Sequence, residues 1–251
     1  MILCLLLGLA GACNALIFFG DSPGAEVIEL TRAEVRIDKG PRPSPPSEAE
    51  ERYTAVELPD VWSQRGVRGS GAFYRASLAL PTLPSETWGV YLIRLHMNAA
   101  VYVNGAFIGD GGSMQEPLTR NWNTPLYFTI SPSLLHVGQN RIEIQLRTYP
   151  GYGWLPPIQV GPERILRKRC ELRRFLQNEM SEILSAGLFG LSLFLIGIWW
   201  RRRKDVVYLW LAGACLLWAV FSAYLGLRAP ILSYAVMQWI AHRCLDFWIV
   251  I

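Results

Sequence analysis

Cysteine and histidine are scarce in this sequence, and the few present do not form a metal-binding pattern. Among 251 residues there are five cysteines and three histidines. None of the cysteines lies between Glu26 and Pro162, which excludes a disulfide framework and a cysteine-based zinc site from that stretch. The histidines are far apart in sequence and show no ligand spacing. The sequence therefore predicts no metal ion and no cofactor.

Charged residues are also few, at 18% of the sequence, and the formal net charge is +4. The cations concentrate in two patches on either side of an apolar segment. Basic patches in such positions set membrane topology more often than they bind nucleic acid. We therefore expect a membrane partner and no nucleic acid. The two patches are Arg164–Arg174 and the run of Arg201, Arg202, Arg203 and Lys204.

Hydrophobic residues make up 51% of the chain, and they are unevenly distributed. Residues after Ile183 are mostly apolar, whereas Glu26 to Pro162 have the mixed composition of a water-soluble domain. This change in composition divides the chain. The predicted parts are a signal peptide or N-terminal apolar segment over residues 1–20, a β-sandwich over 24–162, an amphipathic linker helix over 163–181, and transmembrane helices over 182–251, two complete and a third partial.

The first residues, MILCLLLGLAGA, combine an apolar run with small residues at Ala10 and Ala12, as a signal peptide does. The basic residues that usually begin a signal peptide are missing. Two alternatives therefore remain open for this segment. It could carry a lipidated Cys13, or it could form a buried strand or helix of the domain that follows.

Between the two apolar regions, short segments rich in β-branched and aromatic residues are separated by turn signals every ten or so residues. This spacing favours an all-β sandwich or barrel. In RIEIQLR the residues alternate, which predicts one strand face in the core and the other in water. The predicted strands are Val27–Ile37 with a break, Phe73–Leu80, Val90–Met97, Ala100–Val103, Ala106–Gly109, Leu126–Ile130 and Arg141–Thr148.

The stretch VYVNGAFIGDGG predicts a hairpin, because Asn104-Gly105 suits a two-residue turn with positive φ at both positions. With VWSQRGVRGSGAFYRASLALP before it and TPLYFTISPSLLHVGQNRIEIQL after it, the pattern resembles the sugar-binding domain of family 2 glycoside hydrolases. The resemblance implies an all-β jelly-roll sandwich of the galactose-binding-like type, followed here by α-helical transmembrane segments. A glycosidase also needs two carboxylates on a catalytic barrel. We see no place for that barrel, so we expect no catalytic residues and no enzyme within these residues.

A galactose-binding-like domain ahead of apolar helices also resembles the bacterial seven-transmembrane receptors with diverse intracellular signalling modules. That resemblance implies a sensory receptor, dimeric in the kinase and cyclase forms, whose histidine kinase or diguanylate cyclase domain is absent from these residues. Two alternatives remain open. One is a membrane-tethered carbohydrate-binding module, and the other is an adaptor that contacts another envelope protein.

Two segments, Ile183–Trp200 and Val206–Leu225, are long and apolar enough to cross a bilayer. The run WWRRRKD after the first resembles a cytoplasmic end, since two tryptophans at the lipid boundary precede four cations. This predicts a multi-pass protein of the bacterial inner membrane with its β-domain in the periplasm. The larger number of cations in residues 163–180 argues for the opposite orientation.

A third apolar segment begins at Ile231 but contains charged residues, which are costly inside a bilayer. Either Arg243 and Asp246 pair on one face of a span, or an interfacial helix precedes a span that starts near Leu245. Residues 163–181 also leave two interpretations open. Their apolar positions have helical spacing, so this segment either transmits movement of the β-domain or acts as a rigid stalk.

Carbohydrate sites use aromatic faces with a few polar groups nearby, and the predicted loops offer several such residues. Tryptophan in a sandwich belongs more often to the core, and TYPGYGWLPP is also typical of a packing loop. Both interpretations stay open for each residue. The candidate ligand-binding residues are Trp62, Asp110, Asn121, Trp122, Tyr152 and Trp154.

Overall fold

The computed structural model describes residues 26–38, 53–226, 236, 238–240 and 242–244. The chain divides into two compact units, one that ends at Arg173 and one that continues from Arg174. The N-terminal apolar segment and most of the third apolar segment lie outside the described residues.

The first unit, called the β-domain below, is made of antiparallel strands. The strands are β1 (Ile28–Leu30), β2 (Arg32–Asp38), β3 (Thr54–Glu57), β4 (Asp60–Val61), β5 (Gly71–Leu80), β6 (Trp88–Leu92), β7 (Asn98–Val103), β8 (Ala106–Asp110), β9 (Leu126–Ile130), β10 (Gly138–Arg147), β11 (Trp154–Leu155) and β12 (Ile158–Pro162). A short helix, α1 (Trp62–Arg65), follows β4, and a single 3₁₀ turn precedes β10.

These strands form a four-stranded sheet in the order β1-β12-β6-β9 and a six-stranded sheet in the order β3-β2-β5-β10-β7-β8. A separate pair, β11 and β4, closes one end. Residues of both large sheets, among them Val90 and Ile158 from one and Tyr74 and Ile144 from the other, belong to one buried cluster. The β-domain is therefore a sandwich whose core lies between the two sheets.

Several strand predictions are confirmed, and others are wrong in their ends. The predicted break in the first strand is present at Thr31, and Leu126–Ile130 is a strand as predicted. The strand predicted to continue to Met97 ends at Leu92, because the chain leaves the four-stranded sheet there to enter the other sheet. Strand β12 was missed, since its residues follow the glycine- and proline-rich loop.

The prediction that β10 has one wet face is wrong. Ile142 and Ile144 lie in the core as expected, but Glu143 and Gln145 on the opposite face are also buried. The reason is that β10 is a central strand whose neighbours carry long side chains. Arg75 on β5 donates to Glu143 over 2.9 Å, and the Tyr102 hydroxyl on β7 lies 3.3 Å from the Gln145 oxygen.

Helix α2 (Glu163–Arg174) begins directly after β12 and packs on the outside of the four-stranded sheet. Its residues Leu166 and Cys170 are buried in one cluster with Val27 and Tyr91. Neighbouring β6 residues belong to the inner core, so Tyr91 points to the outer face, as alternation along a strand requires. The sheet thus has apolar cover on both faces.

The second unit contains a π-helical segment (Phe175–Glu179), helix α3 (Met180–Arg201) and helix α4 (Val207–Gly226). Helices α3 and α4 pack along each other. Two helical stretches are long and apolar enough to cross a membrane. The first runs from Glu163 to Arg201 and includes α2, the π-helical segment and α3, and the second is α4. Between α3 and α4 the Arg203 guanidinium stacks on the rings of Trp199 and Trp200 at 4.4 and 4.3 Å.

Candidate functional site

Trp62, a candidate ligand-binding residue, has a fully buried side chain. Its Nε1 donates to the Tyr74 hydroxyl over 2.8 Å, and that hydroxyl donates to Asp60 over 2.7 Å. Arg65 completes the group with an ion pair to Asp60 at 2.7 Å. A ring buried in this network has no face for a ligand, and the structure gives Trp62 a packing role.

Tyr74 remains a hydrogen-bond donor in this network. Burial, reinforced by the negative charge of Asp60, raises the pKa of its hydroxyl well above the ordinary value. The neutral phenol is therefore the stable form, and it links the indole nitrogen to the carboxylate. The loop after β10 packs closely here as well, because a Cβ on Gly153 would overlap the Trp62 ring.

Asn121, another candidate ligand-binding residue, is also fully buried. Its amide donates to the side-chain oxygen of Asn98 and to the carbonyl of Gly111, both at 3.1 Å. Asn98 in turn donates to the carbonyls of Gly112 and Ser113. The two asparagines fasten the loop after β8 to the start of β7.

Asp110 is exposed at the end of β8, and its carboxylate accepts a hydrogen bond from the Gly112 amide over 3.0 Å. Asn104 and Gly105 have positive φ of 51° and 83° at the turn between β7 and β8. The Asn104 side chain does more than permit the turn. It donates to the Leu134 carbonyl and accepts from the Arg141 amide, so it ties the hairpin to the start of β10.

The remaining three candidates, Trp122, Tyr152 and Trp154, lie on a surface formed by three loops. We call this surface the three-loop cluster, and it consists of residues 93–97, 111–125 and 148–157. The ring of Tyr152 is 57% exposed. Trp122 and Trp154 are half-buried.

Specific contacts join the three loops. The Asn121 amide donates to the Met97 carbonyl over 2.8 Å, which connects the first two loops. Arg94 stacks over the ring of Trp154 at 4.7 Å, which connects the first loop to the third. Within the second loop, Arg120 lies 5.6 Å from the centre of the Trp122 ring. Each tryptophan is thus paired with an arginine.

The electrostatics of the cluster follow from these arginines and from partial burial. Desolvation, together with the nearby charge of Arg173 on α2, lowers the pKa of Arg94. Desolvation also lowers the pKa of His96, although a backbone hydrogen bond with Tyr152 opposes the shift. The pKa of Tyr149 is raised mainly by desolvation and then by the charge of Glu116.

This arrangement can bind a ligand by stacking and by charged hydrogen bonds. Half-buried indole rings offer apolar faces to flat groups or to the apolar side of a sugar ring, and arginines donate to carboxylate or hydroxyl oxygens. Among the described residues, no group of three or more histidine, cysteine, aspartate or glutamate side chains is placed to hold a metal ion.

The aromatic residues Trp122, Tyr152 and Trp154 were predicted as candidates, whereas Arg94, Arg120 and Tyr149 were missed. Arg94 lies in a segment predicted as strand, where alternation gave it no special role. Arginine and tryptophan two residues apart, as in RNW, were the signal that could have drawn attention to Arg120. Nothing in the sequence brings residues 94 and 154 together.

Comparisons with known proteins give limited information. No protein-family model matches the chain, and no curated protein matches it. Solved structures of β-glucuronidases are similar to part of this chain. One from Ruminococcus gnavus in complex with uronic deoxynojirimycin has 11% identity and a TM-score of 0.43, and the match covers 56% of this chain and 30% of that enzyme.

Two further β-glucuronidases match at the same level. The one from an uncultured Clostridium has 12% identity and a TM-score of 0.42, and the match covers 58% of this chain and 31% of that enzyme. The one from Faecalibacterium prausnitzii has 10% identity and a TM-score of 0.44, and the match covers 58% of this chain and 33% of that enzyme. This chain therefore spans about a third of the length of these enzymes.

These matches correct one expectation. The sequence predicted no enzyme within these residues, whereas the similar solved structures are enzymes. At TM-scores below 0.5 and identities of 10–12%, they assign no activity to this chain.

Proposed function

We propose that this chain is a membrane-bound sensory receptor of the bacterial inner membrane, with several spans and its β-domain in the periplasm. The β-domain, a galactose-binding-like jelly roll, senses a ligand or a partner protein. The transmembrane helices relay that event to an output domain outside these residues. One observation carries the proposal, namely the helix that begins on the β-domain and continues as an apolar helix.

Helix α2 supports such a relay because it is fixed at its first turns. Leu166 and Cys170 are buried against the four-stranded sheet, and the helical residues then run without a break from Glu163 to Arg201. A continuous helix passes on a displacement that a loop would absorb. The π-helical segment within it is a further support, since such segments occur frequently at functional sites.

The three-loop cluster is connected to this helix through electrostatics. Arg94 stacks on Trp154 and also lies close enough to Arg173 for the two positive charges to repel. A ligand that drew Arg94 away from Trp154, or that neutralised its charge, would change the repulsion on α2. The relay would then start from a change in charge near a buried residue of the helix.

The packing of α3 on α4 supports membrane insertion. Most residues buried between them are small, with Ser192, Ala212 and Ala219 among them and Leu188 as a larger one, whereas Phe194 and Trp210 are more than 60% exposed. The Ser192 hydroxyl donates to the Ala212 carbonyl over 2.9 Å, and Ser185 donates to Ala219 over 2.8 Å. Small residues and serine bonds at the interface, with large apolar residues outside, are typical of membrane helices.

Reporter fusions test the orientation. Full-length protein with a fluorescent protein inserted after Lys204 should fluoresce, because the proposal puts this loop in the cytoplasm. The same protein with alkaline phosphatase inserted there should lack phosphatase activity. Fusions after Gly226 should give the opposite result. Phosphatase activity at Lys204 would contradict the proposed topology.

Hydrogen exchange of the membrane-reconstituted protein tests the relay. In Arg94→Ala, amides of the π-helical segment should exchange at a rate several-fold different from the wild-type rate, because the charge beside Arg173 is gone. The control is Arg68→Ala, which removes an exposed arginine that has no hydrogen bond or ion pair among the described residues. Unchanged exchange in Arg94→Ala would contradict the relay.

A second candidate function is a membrane-tethered carbohydrate-binding module without signalling. The arginine-paired tryptophans of the three-loop cluster favour it, since stacking on indole is a common way to hold a sugar ring. Glycan-array binding that is lost in Trp154→Ala, with unchanged hydrogen exchange in Arg94→Ala, would favour this candidate over the receptor. An adaptor that binds another envelope protein would show neither result.

A further inference from the structure

The outer face of the six-stranded sheet carries a polar groove that lies apart from the residues of the three-loop cluster. Its volume is about 460 Å³, within the range of small-molecule sites. Strands β2, β5 and β10 supply most of its lining. The polar side chains that line it are Arg32, Glu34, Arg75, Ser77, Gln139 and Arg141.

Strand register explains why a groove exists at this place. Ser77 on β5 lies opposite Arg141 on β10. On the other side of β5, Glu34 of β2 lies opposite Arg75. If the same register continues for two more residues, Arg32 of β2 lies across from Ser77. A short side chain thus lies between two long cationic ones. Strands are about 4.8 Å apart, so the two guanidinium groups flank a gap wide enough for a small ligand.

A buried carboxylate holds two of these arginines in place. Glu143 is 3% exposed, and it pairs with Arg75 at 2.9 Å and with Arg141 at 3.5 Å. Arg75 also stacks on the ring of Tyr53 at 4.1 Å. Arg75 uses its Nε for Glu143, which leaves its two Nη groups to a ligand. Such pre-positioning reduces the entropy cost of binding.

The charges at the groove indicate the sign and size of the ligand charge. Among the lining residues and the carboxylate beneath them, three arginines face two carboxylates, Glu34 and Glu143, which leaves one net positive charge; Glu57, opposite Arg32 on β3, is not part of the lining. Within the described part of the chain, neither Arg32 nor Glu34 has a hydrogen bond or an ion pair. A carboxylate matches the arginine fork, and hydroxyl groups match Glu34, Ser77 and Gln139. A phosphate dianion would exceed the available positive charge and would approach Glu34.

We propose that this groove binds a monoanionic sugar, that is, a saccharide unit with a carboxylate group. The carboxylate lies between Arg32 and Arg141 above Ser77, and the sugar hydroxyls bond to Glu34 and Gln139. The proposal does not depend on the receptor function, because a binding module or an adaptor could use the same groove.

Titration calorimetry on the full chain in lipid nanodiscs tests it. Three compounds with the same ring serve as probes, namely galacturonate, galactose and galactose 6-phosphate. We expect saturable binding of galacturonate that weakens as salt is added, and binding at least about tenfold weaker for the other two. No saturable binding of galacturonate, equal binding of galactose, or tighter binding of the phosphate would overturn the proposal.

Two variants locate the site. Arg141→Ala should weaken galacturonate binding about tenfold, the loss of one charged hydrogen bond. Ser77→Leu should abolish it by filling the gap, and its exposed position leaves the core untouched. Phe107→Leu, an exposed change on edge strand β8 of the same sheet, is the matched control and should bind as the wild type does. Full binding by Ser77→Leu would overturn the assignment of the site.

Discussion

The β-domain and the α3/α4 hairpin differ in the size of the side chains that they bury and expose. The β-domain core contains fully buried Trp62, Tyr74 and Phe73. The hairpin buries mostly alanine, serine and cysteine between its helices, together with Leu188, and leaves Phe194 and Trp210 exposed. In water, large apolar residues go inside because that removes most apolar surface from solvent. The hairpin follows no such rule, which is the pattern of a structure whose outer surface meets an apolar solvent.

The largest expected effect comes from replacing one tryptophan in each unit, because a buried and an exposed tryptophan should contribute differently to the free energy of unfolding. Trp62→Ala should lower the free energy of unfolding of the β-domain by about 3–5 kcal/mol, through a cavity and the loss of the hydrogen bond to the Tyr74 hydroxyl. Trp210→Ala, at a ring 61% exposed, should leave it unchanged. Calorimetric unfolding of the reconstituted protein measures both. Equal losses in the two variants would remove the contrast between the units.

A matched pair of charge substitutions tests the solvent of each surface. Phe194→Asp replaces a ring that is 64% exposed on α3 and should reduce membrane insertion, with a cost of about 2.5–3.5 kcal/mol. Phe107→Asp makes the same change at a 55% exposed ring of the β-domain and should be tolerated. The fraction of protein retained in membranes after alkaline extraction is the measurement. Normal retention of Phe194→Asp would argue that its surroundings are aqueous.

The interface between α3 and α4 should resist enlargement. Ala219→Leu adds bulk at a 3% exposed position whose carbonyl accepts from Ser185, and it should weaken the packing by up to about 3 kcal/mol. Ala223→Leu, one turn along the same helix and exposed, is the control. Cross-linking of cysteine pairs placed across the two helices reports the packing. Efficient cross-linking in Ala219→Leu would show that close approach is not required.

The sequence predicted the elements whose periodicity is strong. Alternation in RIEIQLR indicated a strand with Ile142 and Ile144 in the core, and the uninterrupted apolar runs indicated two helices. It could not predict burial that depends on neighbours distant in the chain. Glu143 is covered because Arg75 comes from another strand, and Trp62 is covered because the loop at Gly153 packs on it.

The candidate site was predictable only in part, for the same reason. Aromatic residues in loops can be recognised from composition, and contacts through residues 93–97 connect the segments of Trp122 and Trp154. Their arginine partners come from a different loop in one case and from the same loop in the other. The sheet-face groove depends wholly on register, because Arg32, Ser77 and Arg141 become neighbours only when three strands are aligned.

The smallest expected difference between the β-domain and the hairpin is in the pH dependence of stability, and it comes from the buried hydroxyl of Tyr74. Its raised pKa means that the folded state holds the phenol proton more firmly than the unfolded state does. The resulting stabilisation is complete below the pKa of unfolded tyrosine, about 10, and is lost as the pH rises above it. The free energy of unfolding should therefore fall above about pH 10.

Tyr74→Phe should cost about 1–2 kcal/mol at neutral pH, since the Trp62 nitrogen loses its acceptor, and it should make the alkaline decline shallower. Tyr152→Phe, at an exposed ring, should keep the wild-type slope. Denaturant unfolding of the β-domain at pH 7 and at several values above 10 measures both. A decline of equal steepness in Tyr74→Phe and the wild type would assign the alkaline sensitivity to other tyrosines.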